Sequence, residues 1–169
     1  VNAIEYLRGA GVVNGYSDGR FGPGQPVSRG EFALMVCRAF NLNTGSASSF
    51  PDVPANSAYA WAVATAKDLG IAQGSNGNYN PYSSITRQAA MTMICRAMRA
   101  AGRSVPNVSV SSLSSYRDFG QLSDYARASV AALVQMGAVR GDSSRQLNPT
   151  QSITRAQMAV ILYRVMTTG

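Results

Sequence analysis

The sequence predicts an all-α fold of three helix-loop-helix repeats. Two observations carry this: the chain repeats itself three times, and in each copy apolar residues recur at helical spacing behind a helix-capping signal. The copies are "GAGVVNGYSDGRFGPGQPVSRGEFALMVCRAF" (9–40), "DLGIAQGSNGNYNPYSSITRQAAMTMICRAM" (68–98) and "QMGAVRGDSSRQLNPTQSITRAQMAVILYRVM" (135–166). Gly11, Gly70 and Gly137 correspond, then Gly15, Gly74 and Gly141, Pro23, Pro81 and Pro149, Arg29, Arg87 and Arg155, and Arg38, Arg96 and Arg164. The second copy lacks one loop residue. On this register the chain divides into repeat 1 at 1–41, repeat 2 at 50–99 and repeat 3 at 116–169. The Ser-, Gly- and Asn-rich stretches 42–49 and 100–115 are linkers.

The first helix of each copy is expected at about 1–9, 57–69 and 123–136. Each ends at Gly11, Gly70 or Gly137, where glycine takes the left-handed conformation of a helix C′ position. A turn-rich loop follows, with one large side chain (Phe21, Tyr79 or Leu147) to plug the gap between helices. The second helices are expected at 29–40, 87–99 and 155–167. Ser28 with Glu31 and Thr154 with Gln157 have the spacing of a capping box, and Val27–Phe32 and Ile153–Met158 that of a hydrophobic staple. In "ITRQA" Ala89 breaks the box. Glu31 is thereby read as a cap rather than a catalytic acid.

One residue in this pattern lacks a local reason. Arg29, Arg87 and Arg155 fall at the first helical position, where a cation faces the positive end of the helix dipole at a cost of a few tenths of a kcal/mol, up to ~1. The same helix start favours an anion, and an arginine there adds a bidentate donor. Fourteen Arg and one Lys against eight acids give a net charge of +7. An arginine-dominated excess suits carboxylates and phosphates. Asp18 and Asp142 have three readings: acceptors for sugar hydroxyls, partners that hold the arginine, or turn formers, Asp18 in an Asp-Gly step.

The composition excludes several classes. There is no His, so the commonest general base and metal ligand are missing, and no nucleophile–base pair, metal cluster or cofactor motif is evident; the chain is not expected to be an enzyme. Cys37 and Cys95 occupy matched mid-helix positions, with a disulfide conceivable and two small buried hydrophobes favoured. Nucleic-acid binding has only the charge in its favour, because the repeat disperses the arginines. No segment is apolar enough to cross a membrane, and Val1 falls inside a helical pattern, so the chain reads as an excised piece.

Repeats 2 and 3 open with "FPDV" (50–53) and "YRDF" (116–119), matching aromatic-x-Asp-apolar lead-ins. With the Gly-turn "GVVNGYSDG", the Asn-Pro step and the "ITRAQ" helix start, they resemble the S-layer homology module. The resemblance implies a pseudo-threefold, three-pronged unit outside a bacterial cell that binds an anionic, often pyruvylated, secondary wall polysaccharide in grooves between prongs. Lining those grooves it implies Arg29, Arg87 and Arg155, the glycines Gly15, Gly74 and Gly141, the acids Asp18 and Asp142, and Asn76 where repeat 2 lacks the acid. On this reading Arg29 and Arg155 matter more for binding than Arg87, because the second copy has lost its acid and its Glu. The alternative is a structural module whose grooves receive a protein partner in a surface layer or appendage. Arg38, Arg96 and Arg164 then either support the groove or pair with Asp52 and Asp118. Tyr59, Trp61 and Tyr125 are candidates to stack on sugars, with core packing preferred for Trp61.

Overall fold

The computed structural model describes residues 3–13, 24–46, 49–74 and 77–167. Six helices follow one another: α1 (Ala3–Gly9), α2 (Arg29–Ala39), α3 (Ala60–Asp68), α4 (Arg87–Ala100), α5 (Asp124–Gln135) and α6 (Arg155–Thr167). The described residues contain no extended strand, only isolated bridges, so the fold is all-α. The C′ glycines behave as expected, with φ of 77°, 73° and 77° at Gly11, Gly70 and Gly137. α3 begins three residues later than the spacing predicts. Residues 57–59 are turns, and no side chain caps the start of α3 at Tyr59.

The repeats are joined by a ring of backbone hydrogen bonds. The N–H of Val27 donates to Ile153 O (3.1 Å), that of Ile153 to Ile85 O (3.0 Å), and that of Ile85 to Val27 O (2.9 Å). Three equivalent residues, one from each repeat, therefore close a cycle around a pseudo-threefold axis. All three side chains are fully buried. Each is also the N′ residue of the following helix and packs with its staple partner, Phe32, Ala90 or Met158, in one continuous core.

Helices pair across repeats rather than within them. α2 packs on α3, α4 on α5, and α6 on α1, so each prong combines the second helix of one repeat with the first helix of the next. The last pair closes the circle, with Tyr6 and Tyr163 meeting edge to face at 5.1 Å. Stretch 100–115 is ordered: Leu113 is buried, Val105 and Val108 pack on the core, and the turn Val110–Leu113 contacts α5. Cys37 and Cys95 are free and buried, each Sγ donating to a backbone oxygen of the neighbouring first helix (Ala62 and Ser129, both 3.5 Å). Burial pushes their thiols up, to about 12 and about 11.

Because the ring and the core are shared, the chain should unfold as one unit. Ile153→Ala is expected to cost about 2–5 kcal/mol, and urea denaturation followed by circular dichroism should show a single transition shifted to lower denaturant. Separate transitions for the repeats would contradict the shared ring.

Candidate functional site

The N1 arginines owe their position to the same ring. Arg29 Nε donates to Tyr79 O (2.8 Å), and its guanidinium lies over the Tyr79 ring at 4.7 Å. Tyr79 returns a hydrogen bond from its hydroxyl to Arg29 O (2.7 Å). Arg87 repeats the contact one copy on, with Nε donating to Leu147 O at 3.0 Å. Tyr79 and Leu147 are the buried plugs of repeats 2 and 3. Each of these arginines thus bolts its helix start onto the loop of the following repeat, a structural reason that the local sequence does not contain. One Nε is committed in each fork, and the fork has further donors.

The helix starts themselves are not open to an anion in the way their position suggests. The N–H groups of Arg29 and Gly30 donate to Ser83 O and Pro81 O (2.8 and 2.9 Å), and those of Arg87 and Gln88 to Gln151 O and Pro149 O (2.8 and 3.0 Å). Arg155 N donates to Gln25 O at 2.9 Å. Ser28, Thr86 and Thr154 cap the third N–H of their helices through their hydroxyls. Any anion here must be held by side chains.

Two cavities begin at these arginines. The first, of about 600 Å³, joins Arg29 of repeat 1 to Gln73, Gly74, Asn80 and Ser83 of repeat 2, the α4 face Ala89–Thr92–Met93–Arg96, and Tyr125 of repeat 3. The second, of about 310 Å³, joins Arg87 to Ala138–Val139–Arg140 and the α6 face Ala156, Gln157, Val160, Ile161 and Arg164. No acid is among the described residues lining either one. The arginine of one repeat therefore faces the turn and helix of the next. That shifts the sequence expectation by one copy: the shortened turn and Ala89 of repeat 2 belong to Arg29, and Arg87 looks onto repeat 3. Arg96 and Arg164 line the same cavities and donate to the helix-end carbonyls Ile71 O (3.3 Å) and Ala138 O (3.4 Å).

The third arginine is in a different state. Arg155, 3% exposed, donates from Nη1 to Glu31 Oε2 at 3.0 Å. The other Glu31 oxygen accepts from the Ser28 hydroxyl (3.1 Å). Glu31 is thus an inter-repeat ion-pair partner as well as part of a cap, whereas Thr154 and Gln157 form the full reciprocal box. At the matched positions Ala89 and Gln157 leave Arg29 and Arg87 without this carboxylate. Burial pulls the Arg87 guanidinium's proton affinity down, and Asp118 and Asp142 partly restore it.

The remaining predicted residues are engaged within their own turns and lead-ins. Asp142 Oδ1 accepts from the N–H groups of Ser144 (2.8 Å) and Gln146 (3.0 Å), and Oδ2 from Asn148 Nδ2 (3.2 Å), the behaviour of a turn former. The Asn148, Gln146 and Ser144 bonds hold its carboxyl below the usual range, against some burial. A Cβ on Gly141 would meet the Tyr116 ring at 2.6 Å, and one on Gly74 would meet Asn78 O at 2.6 Å and the Phe50 ring at 2.7 Å. The lead-in aromatics therefore occupy the space that these glycines leave. The lead-in acids hold the plug: Asp52 accepts from the N–H of Tyr79 and Asn80 (2.9 and 2.7 Å), and Asp118 from Leu147 and Asn148 (2.9 and 2.7 Å). Partial burial raises the Asp52 carboxyl, but those N–H bonds and Arg29 outweigh it and leave it lowered. Gly15, Asp18 and Asn76 lie outside the described residues. Trp61 is half-buried against the core, and Tyr59 packs over Gly30. Among the described residues no cluster of metal-ligating side chains occurs, and no helix is long and apolar enough to cross a membrane.

Two expectations follow. Gly74→Ala should destabilise more than Gly141→Ala in thermal denaturation, because Gly74 has φ of +73° and its Cβ would strike backbone. Depressed carboxyls stabilise above their unfolded pKa and lose that contribution as pH falls through the folded value. With Asp52 and Asp142 lowered and no His in the chain, the melting temperature should stay flat from about pH 8 to 5 and fall below about pH 4. Asp52→Asn should reduce that fall.

Comparison with known proteins agrees with this architecture. The family model described as S-layer homology domain matches residues 2–33, 49–91 and 115–159, one match per repeat. The chain is 31% identical over 167 residues to an amylopullulanase of Thermoanaerobacterium thermosulfurigenes, covering 98% of this chain and 9% of that protein. It is 30% identical over 167 residues to the exoglucanase XynX of Acetivibrio thermocellus, covering 98% and 15%. It is 29% identical over 168 residues to a surface-layer 125 kDa protein of Lysinibacillus sphaericus, covering 97% and 14%. The chain thus spans between 9% and 15% of the length of these curated relatives. With a family match in every repeat, and a turn and helix start common to all three, the chain belongs to the S-layer homology domain family.

Proposed function

We propose that this chain is a non-catalytic cell-surface anchoring module that binds an anionic wall polysaccharide, of the pyruvylated secondary-polymer type, in the grooves between its repeats. The observation that carries this is the pair of inter-repeat cavities, each headed by an N1 arginine and a second arginine on the next helix, with no acid among the described lining residues. A carboxylate entering either cavity finds guanidinium donors already fixed: Arg29 by Tyr79 and Arg96 by Ile71 O in the first, Arg87 by Leu147 O and Arg164 by Ala138 O in the second. The family, and relatives named as surface-layer, S-layer and middle cell wall proteins, support a location at the cell surface. The enzyme-named relatives match over a small share of their length, so their activities are not carried to this chain.

In this reading Gly74 contributes the cavity wall and Gly141 the aromatic seat beneath the neighbouring turn. Asp142 shapes its loop, while Gly15, Asp18 and Asn76 are assigned to the grooves by family resemblance. Arg29 and Arg87 are the principal anion ligands. Arg155 contributes less, since Glu31 already neutralises it. The same grooves could receive an acidic segment of a surface-layer partner, a reading favoured by the surface-layer relatives.

The test is retention by cell-wall sacculi before and after acid extraction of the secondary polymer. Retention should be lost on extraction, weaken with salt, and fall roughly tenfold or more in Arg29→Ala and in Arg87→Lys, each losing a charge-assisted fork. Arg87→Lys keeps a cation on a nearly buried stem and so limits the loss of stability. Undiminished retention by extracted sacculi would overturn the polysaccharide reading, and co-purification with a stoichiometric acidic partner would favour the assembly reading.

A further inference from the structure

Repeat 3 carries three arginines that repeat 2 does not. Counted along the shared lead-in, turn and plug, Arg117 stands where repeat 2 has Pro51, Arg140 where it has Gln73, and Arg145 where it has Gly77. The fold gathers them on one edge. The N–H of Arg117 donates to Arg145 O at 2.8 Å, a bond for which Pro51 has no N–H. Arg140 precedes Gly141, whose open side is filled by the ring of Tyr116, the residue before Arg117. All three arginines are exposed. Arg145 is held at φ +57°, in left-handed backbone where its counterpart Gly77 has φ +82°. The turn itself asks for glycine or asparagine at that position, not for arginine.

None of the three pairs with a described acid. Asp142, the acid of the same turn, gives its oxygens to the Ser144 and Gln146 N–H groups and the Asn148 amide. Asp118 is buried and accepts from the Leu147 and Asn148 N–H groups. The edge is therefore positive, and Arg140 joins it to the Arg87 cavity, which it also lines. At an exposed site a single ion pair contributes little, so such an edge retains only a ligand that brings several charges at once. Arg117 and Arg145 are one backbone hydrogen bond apart, which asks for anionic groups on adjacent units of that ligand. A linear phosphate chain supplies them, with a charge on every unit and oxygens that match a guanidinium fork. A bilayer surface fits less well, because the edge offers no apolar side chain to insert. Of the exposed large apolar residues, Leu69 and Tyr82 belong to repeat 2, and Tyr125 lines the Arg29 cavity.

We propose that the edge formed by Arg117, Arg140 and Arg145 is a second anion site, outside the inter-repeat grooves, that takes a linear phosphate-bearing chain. Arg145 is the residue that marks it: repeat 3 holds strained backbone at that position and gains a cation beside Arg117. The site goes beyond the anchoring function and does not depend on it, because Arg117 and Arg145 are not among the described residues lining either cavity.

The experiment titrates the protein with inorganic polyphosphate, and with polyglutamate of matched charge, by calorimetry at several salt concentrations. The wild type should bind polyphosphate more tightly than polyglutamate, with an affinity that falls steeply as salt rises. In the double variant Arg117→Gln, Arg145→Gly, polyphosphate binding should weaken roughly tenfold, and the slope of log affinity against log salt should become shallower by about 1 to 2. Glutamine keeps the backbone N–H at 117 and glycine suits the left-handed turn at 145, so thermal denaturation should show this variant folded. Arg8→Gln with Arg99→Gln removes the same net charge from exposed positions elsewhere and should change binding by less than about twofold. No polyphosphate binding by the wild type, or an equal loss in the two double variants, overturns the site. Polyglutamate bound as tightly as polyphosphate overturns the phosphate assignment. If intact and extracted sacculi retain the wild type alike while the Arg117 and Arg145 variant loses polyphosphate, the anchoring function falls and the edge site stands. If only intact sacculi retain the wild type and that variant binds polyphosphate undiminished, the edge site falls and the anchoring function stands.

Discussion

Everything in this chain hangs on three backbone hydrogen bonds. Val27, Ile85 and Ile153 each donate to one equivalent residue and accept from the other, so no member of the ring is complete without the remaining two. Burial makes this strict, since an unpaired amide at a fully buried position costs about 1–3 kcal/mol. The ring fixes where each second helix begins. The N1 amide of each, and the N2 amides of α2 and α4, then find carbonyls in the next repeat, and Arg29 and Arg87 reach that repeat's plug. Position, cap and groove are consequences of one closure.

The arginines are where stability and recognition meet. A guanidinium tied through Nε to a buried carbonyl has lost its rotamer freedom on folding, so little of that cost remains to be met when an anion arrives. The three copies have since diverged in electrostatics. Arg155 carries an internal counter-ion, Arg87 sits deep among further arginines, and Arg29 opens onto a wider, mixed surface. A family match in each repeat does not make the three grooves chemically equal.

Much of the fold was legible in the sequence because its signals are local. Gly11, Gly70 and Gly137 announce helix ends, Ser28, Thr86 and Thr154 announce helix starts, and apolar spacing announces the buried faces. What escaped was everything that crosses between copies. The partner of Arg29 is a carbonyl fifty residues away, and a carbonyl has no sequence signature. Hence the arginine reads as an unexplained charge, and the pairing of each arginine with the following repeat's turn is invisible until the ring is seen. Glycines 74 and 141 mislead for a related reason: the rings of Phe50 and Tyr116 that require them lie more than twenty residues upstream. Tyr125 is legible as an aromatic but not as a wall of a groove made by two other repeats.

The cross-repeat pairing of helices also decides how the molecule carries a load. α1 and α6 lie together in one prong, so the beginning and end of the described chain enter and leave on the same side of the ring. Tension on a segment continuing beyond α6 would reach that prong first, where the α1 contact and the Tyr6–Tyr163 ring pair resist peeling. The Arg29 groove lies on the α4–α5 pair, away from the loaded end, whereas the Arg87 groove is lined by α6 itself. Load on that prong therefore bears on the Arg87 groove directly and on the Arg29 groove only through the ring.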